Sequence, residues 1–401
     1  MTVSRRSNAP DLASLFAPQR SAAVLRFHDP QVDIHRVSAI LQRVKLATAG
    51  NDRPLPITAL RTVAAEAYHA IRGTDRVSWR QRIACWRRGF FANKAYMYDF
   101  GRHGYDDFVS DFERNVRSDS LNGSFTYMLG DKFVAHHVLS GSGAPTPKLL
   151  DVLAPTQLSR LEELAREHHI VITKPRKGSG GAGVRKIAFE AGTYDVNGRR
   201  MPGLASMPLG EHTLVFEFMR QGRYAHEMFS ESTNTVRIVT LVPEHGSALI
   251  ACAVQRIGTT RSAPVDNFGA GGLSAGIDVA TGMIGPGAAK PVNGRMSWHE
   301  RHPESGAQIA GVVIPNWPSI AGEMLALAAR LPGIRYAGWD VVVTDDGFSI
   351  IEGNNRPDVD LMQIHGPILL DARVRDFYVS RGVRRPSSRS SSGGRASPPS
   401  R

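Results

Sequence analysis

Gly338-Trp339-Asp340-Val341-Val342-Val343-Thr344 and Phe348-Ser349-Ile350-Ile351-Glu352-Gly353-Asn354 flank Asp345-Asp346-Gly347. A three-residue loop ending in glycine suits a hairpin made of a type I turn and a left-handed residue. Pairing Thr344 with Phe348 sets Asp340 opposite Glu352, and Glu352 and Asn354, two positions apart, share a face. Opposed carboxylates repel unless a cation lies between them. Val341, Val343, Ile350 and Ile351 mark the strands as substantially buried, where an unpaired carboxylate is costly. Asp, Glu and Asn oxygens are hard donors suited to magnesium, with substrate phosphates completing the octahedron. A magnesium site at Asp340, Glu352 and Asn354 is the favoured reading, and a solvent-facing acidic hairpin is the alternative.

Upstream, Ile170-Val171-Ile172-Thr173-Lys174-Pro175 is a short β-branched run that reads as a strand. Glycines crowd the next segment, at Gly178, Gly180, Gly181 and Gly183 with Ser179 among them, and Val184 to Phe189 resumes strand-like alternation. The G-x-G-x-x-G match is not a dinucleotide fingerprint, because that motif needs a helix starting inside the glycines. It is not a Walker loop either, since Val184-Arg185 follows Gly183 where Lys-Ser/Thr is required. What remains is strand, glycine loop, strand, with backbone amides free to close over phosphates and Lys174 aimed at the same anion. An ordinary exposed Gly/Ser hairpin beside a surface lysine is the alternative.

Between and around these motifs, helices are expected at Lys132–Leu139, Leu158–His168 and Ile320–Leu331, and strands near Thr213–Phe218, Asn234–Val242, Ala248–Ile257 and Leu273–Val279. This describes an α+β body on a mixed sheet. The first 130 residues read as basic and helical, over Val32–Leu46, Ile57–Ile71 and Trp79–Phe90, with no catalytic motif. They are expected to form an accessory region over 1–128, followed by the motif-bearing domain at 129–376, whose glycine-loop subdomain covers about 170–220. His136-His137, His168-His169, His299 and His302 lack zinc spacing.

The chain has 401 residues, 42% hydrophobic and 21% charged, which excludes a fibrous or fully disordered protein. Half of the formal charge of +12 comes from arginines after Asp376, on a Ser/Pro/Gly/Arg stretch at 377–401 that reads as a disordered tail. With no aromatic-basic pattern, nucleic acid is not expected as a partner. No apolar run approaches the roughly 20 residues of a membrane span, and the N-terminus carries no apolar secretory core. Cys85 and Cys252, far apart and without metal spacing, point to a reducing cytoplasm.

The order lysine near a helix start, lysine before a glycine hairpin, Glu217-Phe218-Met219, an arginine strand and Asp…Glu-x-Asn resembles the ATP-grasp superfamily. Asn234 to Thr240, Arg256-Ile257-Gly258, Val265 to Gly272, Ile314-Pro315-Asn316-Trp317 and the 338–354 hairpin resemble its sugar-transfer-associated family, which is related to α-L-glutamate ligases. The resemblance spans roughly Leu129 to His365. It implies an ATP-grasp fold, two α+β subdomains sandwiching ATP. Lys132 and Lys174 would bind phosphates from opposite sides, and the loop at Gly178, Ser179, Gly180, Gly181 and Gly183 would close over them. Glu217, Phe218 and Met219 would form the hinge that reads the adenine edge. Asp340, Glu352 and Asn354 would hold one or two Mg²⁺ ions, with Mn²⁺ as a substitute. Arg237 and Arg256 would neutralise the transferring phosphoryl group or a substrate carboxylate, a task suited to a guanidinium fork. Each arginine has a structural salt-bridge role as its alternative, and Asp266 and Asn267 read equally as acceptor-site residues or an Asx-turn.

The chemistry implied is ATP-dependent ligation of a carboxylate to an amine, on small-molecule or glycan-linked substrates, through an acyl phosphate with release of ADP and phosphate. A kinase acting on a sugar or polyol hydroxyl, and a non-catalytic nucleotide binder, remain as alternatives. On this reading Asp340→Asn and Glu352→Gln both abolish Mg²⁺-dependent turnover and leave the fold intact.

Overall fold

The computed structural model describes residues 77–117, 121–178, 180–292, 294–331 and 333–384. The helices expected at Val32–Leu46 and Ile57–Ile71, Ser179 of the glycine loop and residues 385–401 of the C-terminal tail lie outside the described residues, whereas 377–380, expected to be disordered, close the last helix with Phe377 and Tyr378 buried.

The first helix, α1 (Trp79–Trp86), starts at a reciprocal cap in which Ser78 and Gln81 satisfy each other's backbone N–H. It stops short of Phe90, because Gly89 turns the chain with φ near 80°. Then follow α2 (Lys94–Met97), α3 (Thr126–Gly130), α4 (Lys132–Gly141), β1 (Leu149–Leu153), α5 (Leu158–His168) and β2 (Ile170–Pro175). The chain continues through β3 (Arg185–Glu190), β4 (Thr193–Val196), β5 (Arg199–Met201), β6 (Thr213–Glu217), α6 (Arg223–Met228), β7 (Val236–Leu241) and β8 (Leu249–Ile257). It ends through β9 (Leu273–Ile277), β10 (Ile284–Val292), β11 (Arg295–His299), α7 (Trp317–Arg330), β12 (Tyr336–Val343), β13 (Phe348–Asn354), α8 (Asp360–Gln363) and α9 (Ala372–Ser380).

Two sheets result among the described residues, ordered β1-β6-β2-β3-β4-β5 and β11-β10-β9-β8-β7-β12-β13. The ladders between these strands are antiparallel, not mixed as the sequence suggested. A parallel neighbour needs a crossover of a dozen or more residues, and the links between β7 and β8 and between β12 and β13 are too short for one.

The hairpin register differs from expectation at its turn. Val343, not Thr344, faces Phe348, and Val341 faces Ile350. Ile351 is then an extra residue, a bulge that restores the pairing of Asp340 with Glu352. The two carboxylates thus face each other as expected, but only because one residue has been inserted between them and the turn.

The small sheet packs α5 through Leu161, Leu164 and Ala165 against Val171, Ile187 and Val215. The large sheet is covered on both faces. One face takes α7, whose Trp317, Ile320, Met324, Leu327 and Ala328 recur at helical spacing. Each such large apolar side chain contributes roughly 1.5–3 kcal/mol on burial. The other face takes the N-terminal segment together with α8 and α9, where Phe90, Met97, Tyr98, Phe108 and Leu121 share a cluster with Val239, Leu361 and Phe377.

His365 closes this second face. Its Nε2 lies 3.2 Å from Ser274 Oγ, and its ring meets Trp298 edge-on at 5.4 Å. A Cβ at Gly276 would stand 3.0 Å from the His365 Cβ, so the close approach needs glycine. Burial pushes the imidazole down to about 4. The unfolded chain, titrating near 6.5, therefore takes up the proton first, and stability present at pH 7 is lost as pH falls from about 6.5 towards 4. The melting temperature is expected to drop between pH 7 and pH 5, and to drop less in His365→Gln. Equal drops in a calorimetric comparison would remove His365 from the account.

Candidate functional site

The site begins where α4 starts. Asp131 caps the helix, accepting from Phe133 N at 3.0 Å and Val134 N at 3.3 Å, and its second oxygen takes Arg176 Nε at 2.7 Å. The backbone N–H of Lys132 donates to Arg176 O at 3.1 Å. These bonds fasten the head of α4 to the end of β2, so that Lys132 and Lys174 enter one cleft. Lys132 Nζ lies 3.3 Å from Glu352 Oε1 and donates to Gly178 O at 2.5 Å. Lys174 Nζ donates to the carbonyl of the bulged Ile351 at 3.1 Å and sits 5.5 Å from the Phe216 ring centre. Burial lowers the Lys174 pKa, Glu352 raises it and Lys132 lowers it further, for a net depression. The cleft walls include His136, Leu139, Pro147 and Phe216.

Gly178, Gly180, Gly181 and Gly183 all hold positive φ, which explains the glycine run. The loop is held from two sides. Lys132 takes the Gly178 carbonyl, and Asn267 Nδ2 donates to Gly180 O at 2.7 Å. A Cβ at Gly181 would lie 3.3 Å from Val265 Cγ2. Asn267 also accepts from Gly269 N at 2.8 Å, so the Asx-turn reading is correct and the residue has a second use besides.

A line of alternating charge runs across the large sheet beside this loop. Arg237 lies opposite Asp340 in the ladder. Its Nε donates to Asp340 Oδ1 and its Nη2 to Oδ2, the latter at 2.9 Å. Arg256 Nη1 reaches Asp340 Oδ2 at 2.9 Å and Nη2 reaches Asp266 Oδ1 at 2.6 Å. Asp266 Oδ2 takes the backbone N–H of Thr235 at 2.7 Å and its hydroxyl at 2.5 Å. Burial pushes the Asp340 carboxyl up, but Arg237 and Arg256 outweigh it and hold the group below the ordinary carboxylate value. For Asp266 burial outweighs Arg256, and its pKa is raised. Gly338 makes room for the arginine, since a Cβ there would lie 2.5 Å from Pro357 Cβ and 3.2 Å from Arg237 Cδ.

The opposed carboxylates therefore have protein cations as partners: two arginines on Asp340 and Lys132 on Glu352. Asn354 Nδ2 donates to Gly338 O at 3.3 Å. Among the described residues no three His, Cys, Asp or Glu side chains are gathered as a metal site. Asp340, Glu352 and Asn354 still form a set of two carboxylates and an amide on neighbouring ladder positions, the hard-oxygen chemistry that fits Mg²⁺. A dication bound there would compete with Lys132 and the arginines for the same oxygens.

The residues expected to form the hinge are placed differently from the lysines. Glu217 Oε1 accepts from Lys148 N at 2.7 Å, and Phe218 takes Lys186 Nζ at 4.7 Å from its ring centre. Neither they nor Met219 line the cleft beside Lys132 and Lys174, where the preceding Phe216 does. Sequence reasoning also missed Asp131, though an aspartate just before a helix start is a capping signal, and the link from Asn267 to Gly180, which no local pattern announces.

A family model described as sugar-transfer associated ATP-grasp matches residues 111–377. Among solved structures, D-alanine–D-alanine ligase from Bacillus anthracis is 16% identical, with 69% of this chain and 78% of that chain covered and a TM-score of 0.35. Biotin carboxylase from Campylobacter jejuni, solved with a β,γ-ATP ligand, is 13% identical, with 66% and 48% covered and a TM-score of 0.39. N5-carboxyaminoimidazole ribonucleotide synthetase from Thermotoga maritima is 14% identical, with 60% and 45% covered and a TM-score of 0.32. This chain spans less than half the length of the last two. No curated protein matches the sequence.

Proposed function

The chain belongs to the sugar-transfer associated ATP-grasp family, and from that premise we propose that it is an ATP-dependent ligase joining a carboxylate to an amine. The observation that carries this reading is the gathering of Lys132, Lys174 and Glu352 in one cleft, under the glycine loop, with Arg237 and Arg256 on the adjoining strands. Among the described residues of the loop and the cluster there is no cysteine or base-activated serine. Such a site lowers a barrier by positioning and charge neutralisation, which is what phosphoryl transfer asks of a protein.

In the proposed reaction a substrate carboxylate oxygen attacks the γ-phosphorus and the bond to ADP breaks. The amine nitrogen then attacks the acyl carbon, phosphate leaves, and the nitrogen loses a proton. Lys132 and Lys174 hold the phosphates, and Arg237 and Arg256 offset the charge that builds on the transferred group or the acid. The glycine loop, pinned between Lys132 and Asn267, keeps water from the acyl phosphate. Asp340, Glu352 and Asn354 would hold Mg²⁺, which when bound draws charge from the β- and γ-phosphate oxygens.

Hydroxylamine supplied with Mg-ATP and a pool of carboxylic acids is expected to give an ATP-dependent hydroxamate, detected by mass spectrometry. Lys174→Ala is expected to reduce it by on the order of 100-fold, the usual cost of losing one group that stabilises transition-state charge. A phosphorylated alcohol in place of the hydroxamate would show a kinase and overturn the ligase reading.

A further inference from the structure

We propose that α1 docks the protein on the surface of an anionic phospholipid bilayer. The helix presents an apolar ridge to solvent. Trp79, Ile83 and Trp86 stand at i, i+4 and i+7, hence on one face, and are 66%, 48% and 38% exposed. The helix is fixed to the protein on another side by Cys85, which is fully buried in the cluster of Phe90 and Tyr98. Phe112, 37% exposed, continues the apolar surface past the helix end, its backbone N–H donating to Gly89 O at 2.9 Å. Half of the eight large apolar side chains exposed among the described residues thus fall on this one patch. Single exposed apolar residues need no explanation, whereas a gathered patch marks an interaction surface.

The rim of the ridge decides the partner. Arg80 and Arg87, seven positions apart, run along one flank and are both exposed. Arg82 lies on the other flank, largely buried, its guanidinium 5.6 Å from the Trp79 ring centre and 5.7 Å from that of Trp86. Arg88 follows, and no acidic residue occurs from Val77 to Tyr98. An apolar ridge bordered only by arginines complements the boundary of an anionic bilayer, where indoles settle at the level of the headgroups and guanidiniums meet lipid phosphates. The eight residues of α1 are too few to span a bilayer and would lie along it.

Co-sedimentation of the full chain with vesicles tests this. Vesicles that contain phosphatidylglycerol are expected to bind it, with a blue shift of indole emission, and vesicles of phosphatidylcholine alone to bind it roughly tenfold more weakly. Added salt is expected to release it. Trp79→Ala combined with Ile83→Ala is expected to lower vesicle affinity roughly tenfold by removing the apolar area that enters the bilayer. Arg80→Glu combined with Arg87→Glu should do the same, and Arg80→Lys combined with Arg87→Lys should retain binding, because a bilayer surface reads the charge more than the guanidinium fork. These four side chains are exposed, so the variants should melt with the parent. Equal binding to both kinds of vesicle, or affinity unchanged in both the apolar and the charge-reversed variants, would overturn the proposal. A dimer that dissociates in Trp79→Ala, or an oligonucleotide held through the same residues, in a protein that ignores vesicles, would overturn it as well and give the face a different partner.

Discussion

Glu352→Gln is expected to remove Mg²⁺-dependent ATP turnover by on the order of 100-fold or more while leaving the melting temperature within a few degrees, whereas Asp340→Asn is expected to lose turnover and stability together. The difference comes from what each carboxylate faces. Glu352 pairs with Lys132 at a cleft wall, with side-chain exposures of 29% and 15%, so water can take over when the charge is removed. Asp340 is 6% exposed and takes hydrogen bonds from two guanidiniums. Removing its charge leaves Arg237, itself 9% exposed, without a carboxylate partner, while Arg256 keeps Asp266. Breaking one side of a buried pair costs about 3–5 kcal/mol. The sequence alone suggested that both variants would fold equally well, and the geometry revises that for Asp340. Glu352→Gln is the cleaner probe of the proposed magnesium site. Turnover within a factor of three of wild type, measured as ADP release at saturating Mg-ATP, would falsify the metal assignment.

Lys94→Met is expected to be as damaging to stability as any single change far from the cleft. Lys94 is 2% exposed, with its Nζ 2.7 Å from Asp360 Oδ2 and 3.2 Å from Asp111 Oδ1. Tyr98 Oη donates to Asp360 Oδ1 at 2.7 Å, and Gln363 joins Tyr98 to both backbone groups of Val109. Without the ammonium, two carboxylates confront each other inside the cluster. The loss should be about 3–5 kcal/mol, or roughly 10 °C in melting temperature. The pH dependence carries the signature. Burial raises Asp111 to about 6 against the pull of Lys94. In the variant that pull is gone, so the folded state takes up a proton more readily than the unfolded chain. The gap in melting temperature between variant and parent should therefore narrow as pH falls from 7 to 5. A variant that melts with the parent at every pH would show the network to be inessential.

How far the sequence could be read depended on the reach of each interaction. The limits of α5 and β2 were legible to the residue, because helical and β-branched periodicity are properties of ten neighbouring side chains. The pairing of Asp340 with Glu352 was legible too, although through the wrong turn register, since a bulge leaves no mark in a run such as Ile350-Ile351. The opposed carboxylates called for positive charge beside them, and each has it from the protein. That lysine and arginine would occupy those positions was not readable, because Lys132, Arg237 and Arg256 come from three separate elements. Residues 77–125 looked free of function for the same reason. Their importance lies in partners more than 200 positions away, such as Gln363 for Val109 and Tyr336 for Asn122.

Lys94 and Asp360 stand 266 positions apart. During synthesis the strand face that both will cover is complete in outline once β12 has emerged, yet α8 and α9 are made only after it. Until then the newly made chain carries an uncovered apolar sheet face with the Lys94 ammonium waiting beside Asp111. Burial of that face thus waits for α8 and α9, and a chain made only as far as β13 is the form most exposed to aggregation.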